Sequence, residues 1–416
     1  MSSSTIVSTE NNTILVINCG SSSVKFSLIK PESGEDFLSG LAQRLNTSDA
    51  SIKIKYTMKG KKEIFNQLLP APFDHVKSLE ALVEKLKELS LDTGITAIGH
   101  RIVHGGDLYS EPTLINSEVK KAIHSLAKLA PLHNPANLTG IEACQTAFGN
   151  LPQVAVFDTA FHQTMPSKAF LYGIPKTLFE EHGIRRYGFH GTSHYFVGNQ
   201  AAKYLNKPLS ECNVITAHLG NGCSIAAIKN GESVDTSMGM TPLEGVMMGT
   251  RSGDIDAGVI FHLANQLNYS VAEVEKVLIK ESGLLGISAI SNDCRALEEA
   301  MESDSHPERD QAKLALTIFC YKIAKYIASY SVCFDRLDAL VFTGGIGENS
   351  PWVRANIINQ LSLLNFQLAE QDNERLLRGL CGKITTENSR PCFVITTNEE
   401  WVIAEQTQQL LESIDL

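Results

Sequence analysis

Two arginines in small-residue loops, an aspartate closing an apolar run and a histidine between glycines are the side chains here that could do chemistry. Arg101 lies in GHRIVHGG (99–106), Arg251 in MMGTRSGD (247–254), Asp158 ends QVAVFD (153–158) and His190 sits in YGFHGTSH (187–194). A lone arginine is most often a surface charge, but the type offers a permanent cation with a planar fork of donors for oxygen ligands. A carboxylate ending a buried strand is costly unless a cation meets it, so Asp158 calls for a positive partner. His190 and His194 are four apart, as in helical zinc sites. The glutamate of H-E-x-x-H is missing, however, and the helix is expected to start at Thr192 or Ser193, after His190. Zinc is disfavoured, and His194, with His100 and His104, reads as structural.

Three glycine-containing turns accompany these residues. In 14–29, ILVINCGSSSVKFSLI, an apolar run meets the knot NCGSSS, and Val24, Phe26 and Leu28 then alternate with polar neighbours. Period two means strand, turn, strand, not the strand-to-helix phosphate loop G-x-x-x-x-G-K-[ST], which this chain lacks. Gly20 with Ser21, Ser22 and Ser23 offers backbone N–H groups and hydroxyls able to wrap an anion. Residues 213–228, NVITAHLGNGCSIAAI, repeat the pattern, with Gly220 matching Gly20. Residues 337–361 run from a strand through Gly344-Gly345 into a helix with Val353, Ile357 and Ile358 on its stripe, and a helix N-terminus suits phosphate. Two strand–turn–strand loops and one strand–glycine–helix loop predict a duplicated fold that grips a nucleotide between its halves.

The elements that must position these groups alternate. The spacing predicts helices over 78–89 (Leu79, Leu82, Val83, Leu86 and Leu89 on one stripe), 117–130 and 133–149, the last capped by Asn134 with Pro135 following. Strands are expected at 95–106 and 153–158, and such α/β chains bind ligands beyond the carboxyl ends of their strands. At 416 residues two domains are the default. A net charge of −10 disfavours nucleic acid as a partner. No apolar run reaches the ~18 residues of a membrane span, and MSSSTIVSTE does not read as a secretory leader. Nine scattered cysteines without a C-x-x-C pair fit a reducing cytoplasm.

INCGSSSVKF, HLGNGCS and FTGGIGEN resemble the first phosphate, second phosphate and adenosine loops of the acetate and sugar kinase, Hsp70 and actin superfamily. GHRIVHGG, APLHNP, FDTAFH, RRYGFHGTSH, DTSMGMTPLEGVMMGTRSGDID, SGLLGIS and TNEE then resemble the acetate kinase family, in order along nearly the whole chain. The resemblance implies a duplicated, two-domain actin-like ATPase (ribonuclease H-like) fold with the active site in the interdomain cleft. Domains are expected at 1–157 and 158–399, with the C-terminal helix 400–416 returning to the first through Trp401, Ala404, Leu410, Leu411 and Ile414. It implies Mg2+- (or Mn2+-) dependent transfer of the ATP γ-phosphoryl to acetate, giving ADP and acetyl phosphate, by a homodimer. A propionate or other short-chain acyl kinase is the alternative. A sugar kinase is disfavoured by the arginine-rich site, and an ATP-driven clamp by the lack of room for a peptide-binding domain.

The same resemblance assigns roles. Arg101 and Arg251 bind the carboxylate and the transferring phosphoryl, Asp158 is essential beside them, and His190 contacts the phosphoryl in the transition state, with His133 in a supporting or direct role. Asn18 and Glu399 match the metal positions, with Glu400 the neighbouring alternative. Nucleotide contacts fall on Ser21, Ser23, Lys25, His218, Leu219, Gly220, Asn221, Gly222, Asp293, Cys294, Arg295, Gly344, Gly345, Ile346, Gly347, Glu348 and Asn349; Lys25 reads equally as an edge-strand lysine. The acyl pocket maps to Val103, Leu132, Phe189 and Pro242. Val103 favours acetate, although one methylene is worth only ~1–3 kcal/mol. Cys19 and Cys223, inside the two phosphate loops, carry an expected sensitivity to thiol reagents.

Overall fold

The structure, a computed structural model, describes residues 12–58, 60–131 and 133–414. Leu132 and residues 1–11, on which the reading of the N-terminus rests, lie outside the described residues. The chain divides into two compact units, residues 1–160 with 398–416, and residues 161–397.

The first unit is built on eight strands: β1 (Thr13–Gly20), β2 (Ser23–Lys30), β3 (Glu35–Gln43), β4 (Ser51–Met58), β5 (Lys61–Leu68), β6 (Ile95–Ile102), β7 (Thr113–Leu114) and β8 (Gln153–Phe157). They lie in the order β5-β4-β3-β2-β1-β6-β8-β7. Alternation in 14–29 gives an antiparallel hairpin in which Gly20 faces Ser23 across Ser21 and Ser22, and β6 and β8 add on in parallel. The second unit has six: β9 (Asn213–Leu219), β10 (Cys223–Lys229), β11 (Glu232–Thr236), β12 (Ala339–Thr343), β13 (Gly382–Lys383) and β14 (Cys392–Val394), in the order β11-β10-β9-β12-β14-β13. Three antiparallel strands followed by two parallel ones occur in both sheets (β3-β2-β1-β6-β8 and β11-β10-β9-β12-β14). The duplication expected from the paired loops is thus present in the backbone.

Helices cover both faces of the first sheet. Leu79, Leu82 and Leu86 of His75–Glu88 and Ala143 and Cys144 of Asn134–Phe148 pack with Leu15, Ile17, Phe26 and Leu28. On the other face, Ile403, Ala404 and Leu411 of the C-terminal helix Glu399–Ser413 pack on Ile14, Val16, Ala97, Val154 and Val156, while Ile414 is exposed. Trp401 donates from Nε1 to Pro31 O at 2.8 Å. In the second unit Val197 and Ala201 of the helix Gly191–Tyr204 pack with Val214, Ala339 and Val341. No helix among the described residues is long and apolar enough to cross a membrane.

Several sequence expectations shift. The expected boundary at 157 moves to after Ala160, because Asp158 continues the ladder by donating from its N to Ile102 O at 2.9 Å. Glu399 opens the C-terminal helix of the first unit and does not close the second. Lys25 is not on an edge, since β2 lies between β1 and β3. The first helix starts at His75, where Asp74 caps it by accepting from Lys77 N at 2.9 Å, and Leu89 serves as its C-cap. The helix expected over 117–130 ends at Ser125 and tightens into the 3-10 turn Leu126–Lys128. His133, not Asn134, is the N-cap of Asn134–Phe148. Asn134 cannot cap because its fully buried amide accepts from His104 N (3.2 Å) and donates to His104 O (3.0 Å).

Candidate active site

In the first unit the chemistry gathers around Arg101. The guanidinium grips Asp158 with two hydrogen bonds, Nε to Oδ1 at 2.9 Å and Nη2 to Oδ2 at 2.6 Å. Glu399 Oε2 lies 3.7 Å from the same Nε. The side chains of Asp158 and Arg101 keep 2% and 22% of their exposure, so a strand-end carboxylate has found its cation. Burial works against the Arg101 charge, and Asp158 and Glu399 outweigh it, so its pKa stands above the ordinary arginine value. Burial also raises the Asp158 carboxyl, opposed by Arg101 and assisted by Glu399. The guanidinium cannot lose its proton in the working range and holds both oxygens, so the pair is ionised.

Backbone around this pair is fastened by amides that the sequence reading missed. Asn137 Oδ1 accepts from Val103 N at 3.1 Å, and its Nδ2 donates to Cys19 O at 2.8 Å, tying the arginine's strand tip to the first glycine turn. His75 Nε2 lies 2.8 Å from Gly20 O. The pairing of Asn134 and Asn137 on one turn of helix, in NPAN, was the available signal. Lys25 is ion-paired with Glu400 of the C-terminal helix, which leaves Glu399 as the carboxylate beside Arg101. His133 is exposed and Asn18 and Val103 are half-buried, while Ser21 is exposed on the hairpin turn.

In the second unit the site is the turn between β9 and β10. A Cβ on Gly222 would lie 3.3 Å from Arg251 Nη1 and 3.5 Å from His190 Cε1, so both side chains stand directly against the turn. Arg251 Nη1 also donates to Pro242 O at 3.0 Å, bringing the arginine and one proposed pocket residue together. Burial lowers Arg251 from its ordinary pKa, partly offset by Cys223; an arginine keeps its charge regardless. His190 and His218 stack at 4.3 Å between ring centroids. His190 adopts φ 57° and ψ 26°, left-handed backbone that a non-glycine residue rarely holds, and it N-caps the helix starting at Gly191, one or two residues earlier than expected. Phe189 is buried, its carbonyl lying 3.0 Å from His162 Nε2. His194 is buried with both ring nitrogens bonded to hydroxyls, as a structural histidine should be.

The third turn closes on the second. Gly344 has φ 77°, and a Cβ there would meet Leu219 O at 2.7 Å, so the glycine is required where the helix Gly344–Asn349 leaves β12. Glu348 does not face outward: Oε1 accepts from Gly344 N (2.9 Å) and Thr397 N (3.2 Å), making it a latch for the loop. Asn349 is likewise used within the fold, donating to Gly345 O at 3.0 Å and accepting from Arg378 N at 3.1 Å. Asn221 Oδ1 takes a 3.0 Å hydrogen bond from Asn292. Asp293 caps the helix Cys294–Glu302 by accepting from Arg295 N at 2.9 Å, Arg295 pairs with Glu299, and Cys294 is buried. Cys19 and Cys223 are buried too, and burial pushes each thiol up to about 12, so neither is a nucleophilic thiolate in the folded protein. The expected thiol sensitivity of the two loops is not supported.

The five-strand order shared by the two sheets, each turning through glycine, with Arg251 against the second turn, fits the duplicated fold of the actin-like ATPase class. The family model described as the Acetokinase family matches residues 13–405, and the chain belongs to that family. It is 53% identical over 403 residues to an acetate kinase of Shewanella sp. (strain MR-4), covering 96% of this chain and 99% of that protein. Among solved structures it is similar to Porphyromonas gingivalis acetate kinase (39% identity, TM-score 0.88, 96% and 100% of the two chains). A propionate kinase from Francisella tularensis subsp. tularensis SCHU S4 matches with 47% identity and TM-score 0.88 over 96% and 99% of the chains. The protein is therefore an enzyme that transfers phosphoryl to a carboxyl group.

Proposed function

We propose that the protein transfers the γ-phosphoryl of ATP directly to acetate, giving acetyl phosphate and ADP, and catalyses the reverse. The observation that carries this reading is the convergence of Arg251 and His190 on the Gly222 turn. An acyl acceptor is already ionised at pH 7 and needs no general base. What it needs is fixed positive charge and donors where two anions meet. Arg251 and His190 supply these at the phosphoryl, while Arg101, held by Asp158, receives the acetate carboxylate. The family resemblance assigns the acyl methyl to Val103, Phe189 and Pro242, and the phosphates to the glycine turns. Asn18 and Glu399 offer only hard oxygen donors, a set that fits Mg2+ or Mn2+, because magnesium keeps most of its waters and takes one or two carboxylates. Bound there, the ion would neutralise phosphate charge. The nine free cysteines suit a reducing cytoplasm.

Trapping of acyl phosphate as the hydroxamate, with ATP, Mg2+ and acetate, propionate or butyrate, tests the reaction. The expected result is product with a several-fold higher kcat/KM for acetate. Slow ATP hydrolysis with no trapped product from any acid would refute the reading.

We also infer a homodimer. The helix Ala257–Gln266 buries none of its residues in the chain, and Ile255, Val259, Ile260, Phe261 and Val271 are exposed. An apolar patch of this kind marks an interaction surface, and a second copy is the occupant the family resemblance implies. Light scattering should give twice the chain mass for the wild type and a monomer for Phe261→Glu; a monomeric wild type would reject the assignment.

A further inference from the structure

A run of buried hydrogen-bonding groups leads to His190 from behind and is used by no step above. Thr216 Oγ1 on β9 lies 2.7 Å from His194 Nδ1, His194 Nε2 lies 2.7 Å from Ser224 Oγ on β10, and Ser224 Oγ lies 2.9 Å from His190 Nδ1. Thr216, His194 and Ser224 are completely buried. We propose that Ser224, backed by His194 and Thr216, is a positioning residue that holds His190 in the tautomer with its proton on Nε2, so that a neutral imidazole donates to the phosphoryl oxygen. This rests on the phosphoryl-transfer reading above.

Counting hydrogens decides the direction of the run. A neutral His194 carries one N–H and each hydroxyl one O–H. Were the His194 proton on Nδ1, Thr216 would accept it and its own hydroxyl hydrogen would need another acceptor. Among the described residues Thr216 Oγ1 has no second partner, and buried polar hydrogens are rarely left without one. In the opposite order every hydrogen is placed: Thr216 O–H to His194 Nδ1, His194 Nε2–H to Ser224 Oγ, Ser224 O–H to His190 Nδ1. Burial, and then His162 and His218, hold the His194 pKa well below its ordinary value, so the neutral form is the relevant one. A cationic His194 would donate from both nitrogens and would still leave Ser224 donating to His190. In each allowed case His190 Nδ1 accepts and Nε2 bears the hydrogen. With Arg251 already on the same turn, a neutral donor adds a hydrogen bond without a second cation.

The tautomer can be read directly by long-range 1H–15N spectra of the full-length protein labelled with 15N-histidine, with His190 assigned by its loss in His190→Gln. The expected wild-type pattern is Nε2–H. Ser224→Ala should lose that pattern and lower kcat by about tenfold, less than the ~10²-fold of deleting a transition-state donor outright, with KM for ATP and acetate changed less than about twofold. Thr216→Val, which is isosteric and remote from the turn, should move the tautomer the same way with a smaller rate loss, and it decides the matter should Ser224→Ala fail to fold. A wild-type His190 protonated on Nδ1, or variants with unaltered tautomer and kcat, would overturn the proposal. Failure of the acetate reading shows separately, as wild-type protein that traps no acyl phosphate while its histidine spectrum still reports the tautomer.

Discussion

Replacing Arg251 with alanine is expected to lower kcat for acetyl phosphate formation by about 10³-fold, the low end of what an arginine on a transferring phosphoryl supplies. The loop should survive the change because its own bonds do not depend on the guanidinium. Gly245 N donates to Asp254 Oδ1 at 2.8 Å, Met248 N to Arg251 O at 3.0 Å, and Asp254 N to Gly245 O at 2.8 Å. Arg186 holds Glu244 of the same loop and donates to the carbonyls of Thr236 and Ser237, at 2.7 and 3.0 Å, just before it. What is lost is Nη1, which is anchored on Pro242 O and points the fork at the Gly222 turn. Arg251→Lys should recover only part of the rate, since a point charge cannot hold that carbonyl and two oxygens of a planar group together. Steady-state kinetics in both directions, beside thermal unfolding, separate the cases. An alanine variant within tenfold of wild type would remove Arg251 from the chemistry, and a large loss of Tm would make the effect structural.

The parts of this site legible in sequence were those with a local signature. Period-two alternation after Gly20 marked the first hairpin, the repeated strand–glycine turn–strand pattern marked the one at Gly220, and the strand run 153–157 with Asp158 behind it placed a carboxylate at a strand end. The hidden parts depend on partners far along the chain. Asn137 reads as any helical polar residue until it is seen joining Val103 N to Cys19 O. Ser224 looks like a small residue in an apolar strand until His194 and His190 flank it. Glu348 carries a charge in a nucleotide motif, yet folding turns it onto backbone N–H groups. Lys25 could be placed only once the C-terminal helix brought Glu400 to β2. Type and spacing therefore named the charged groups, and tertiary hydrogen bonds determined which of them are occupied by the fold itself.

Removing Asp158 should damage both stability and rate. Breaking a buried pair from one side costs about 3–5 kcal/mol because the remaining charge is left unmatched, so Asp158→Ala should unfold well below the wild type. Asp158→Asn is no remedy: its amide nitrogen would set donors against the Arg101 donors that now meet two oxygens at 2.9 and 2.6 Å. Freed from Asp158, Arg101 is drawn to Glu399, already 3.7 Å from Nε. If Arg101 is the group that binds the acetate carboxylate, as proposed, a displacement of about an ångström is worth about 10²-fold in rate, with a raised KM for acetate. The reciprocal variant has a distinct pH signature. In Arg101→Ala the buried Asp158 loses the group that opposed its upward shift, so its folded pKa lies above the unfolded value. A carboxyl raised in this way favours the folded state below the unfolded pKa and loses that contribution as pH rises through the folded one. Arg101→Ala should therefore be destabilised more at pH 8 than at pH 5, and adding Asp158→Ala to it should remove most of that difference. Thermal unfolding of the two single variants and the double variant at both pH values measures this coupling. Additive losses with no pH dependence would mean that the pair is not the support of the arginine that its geometry describes.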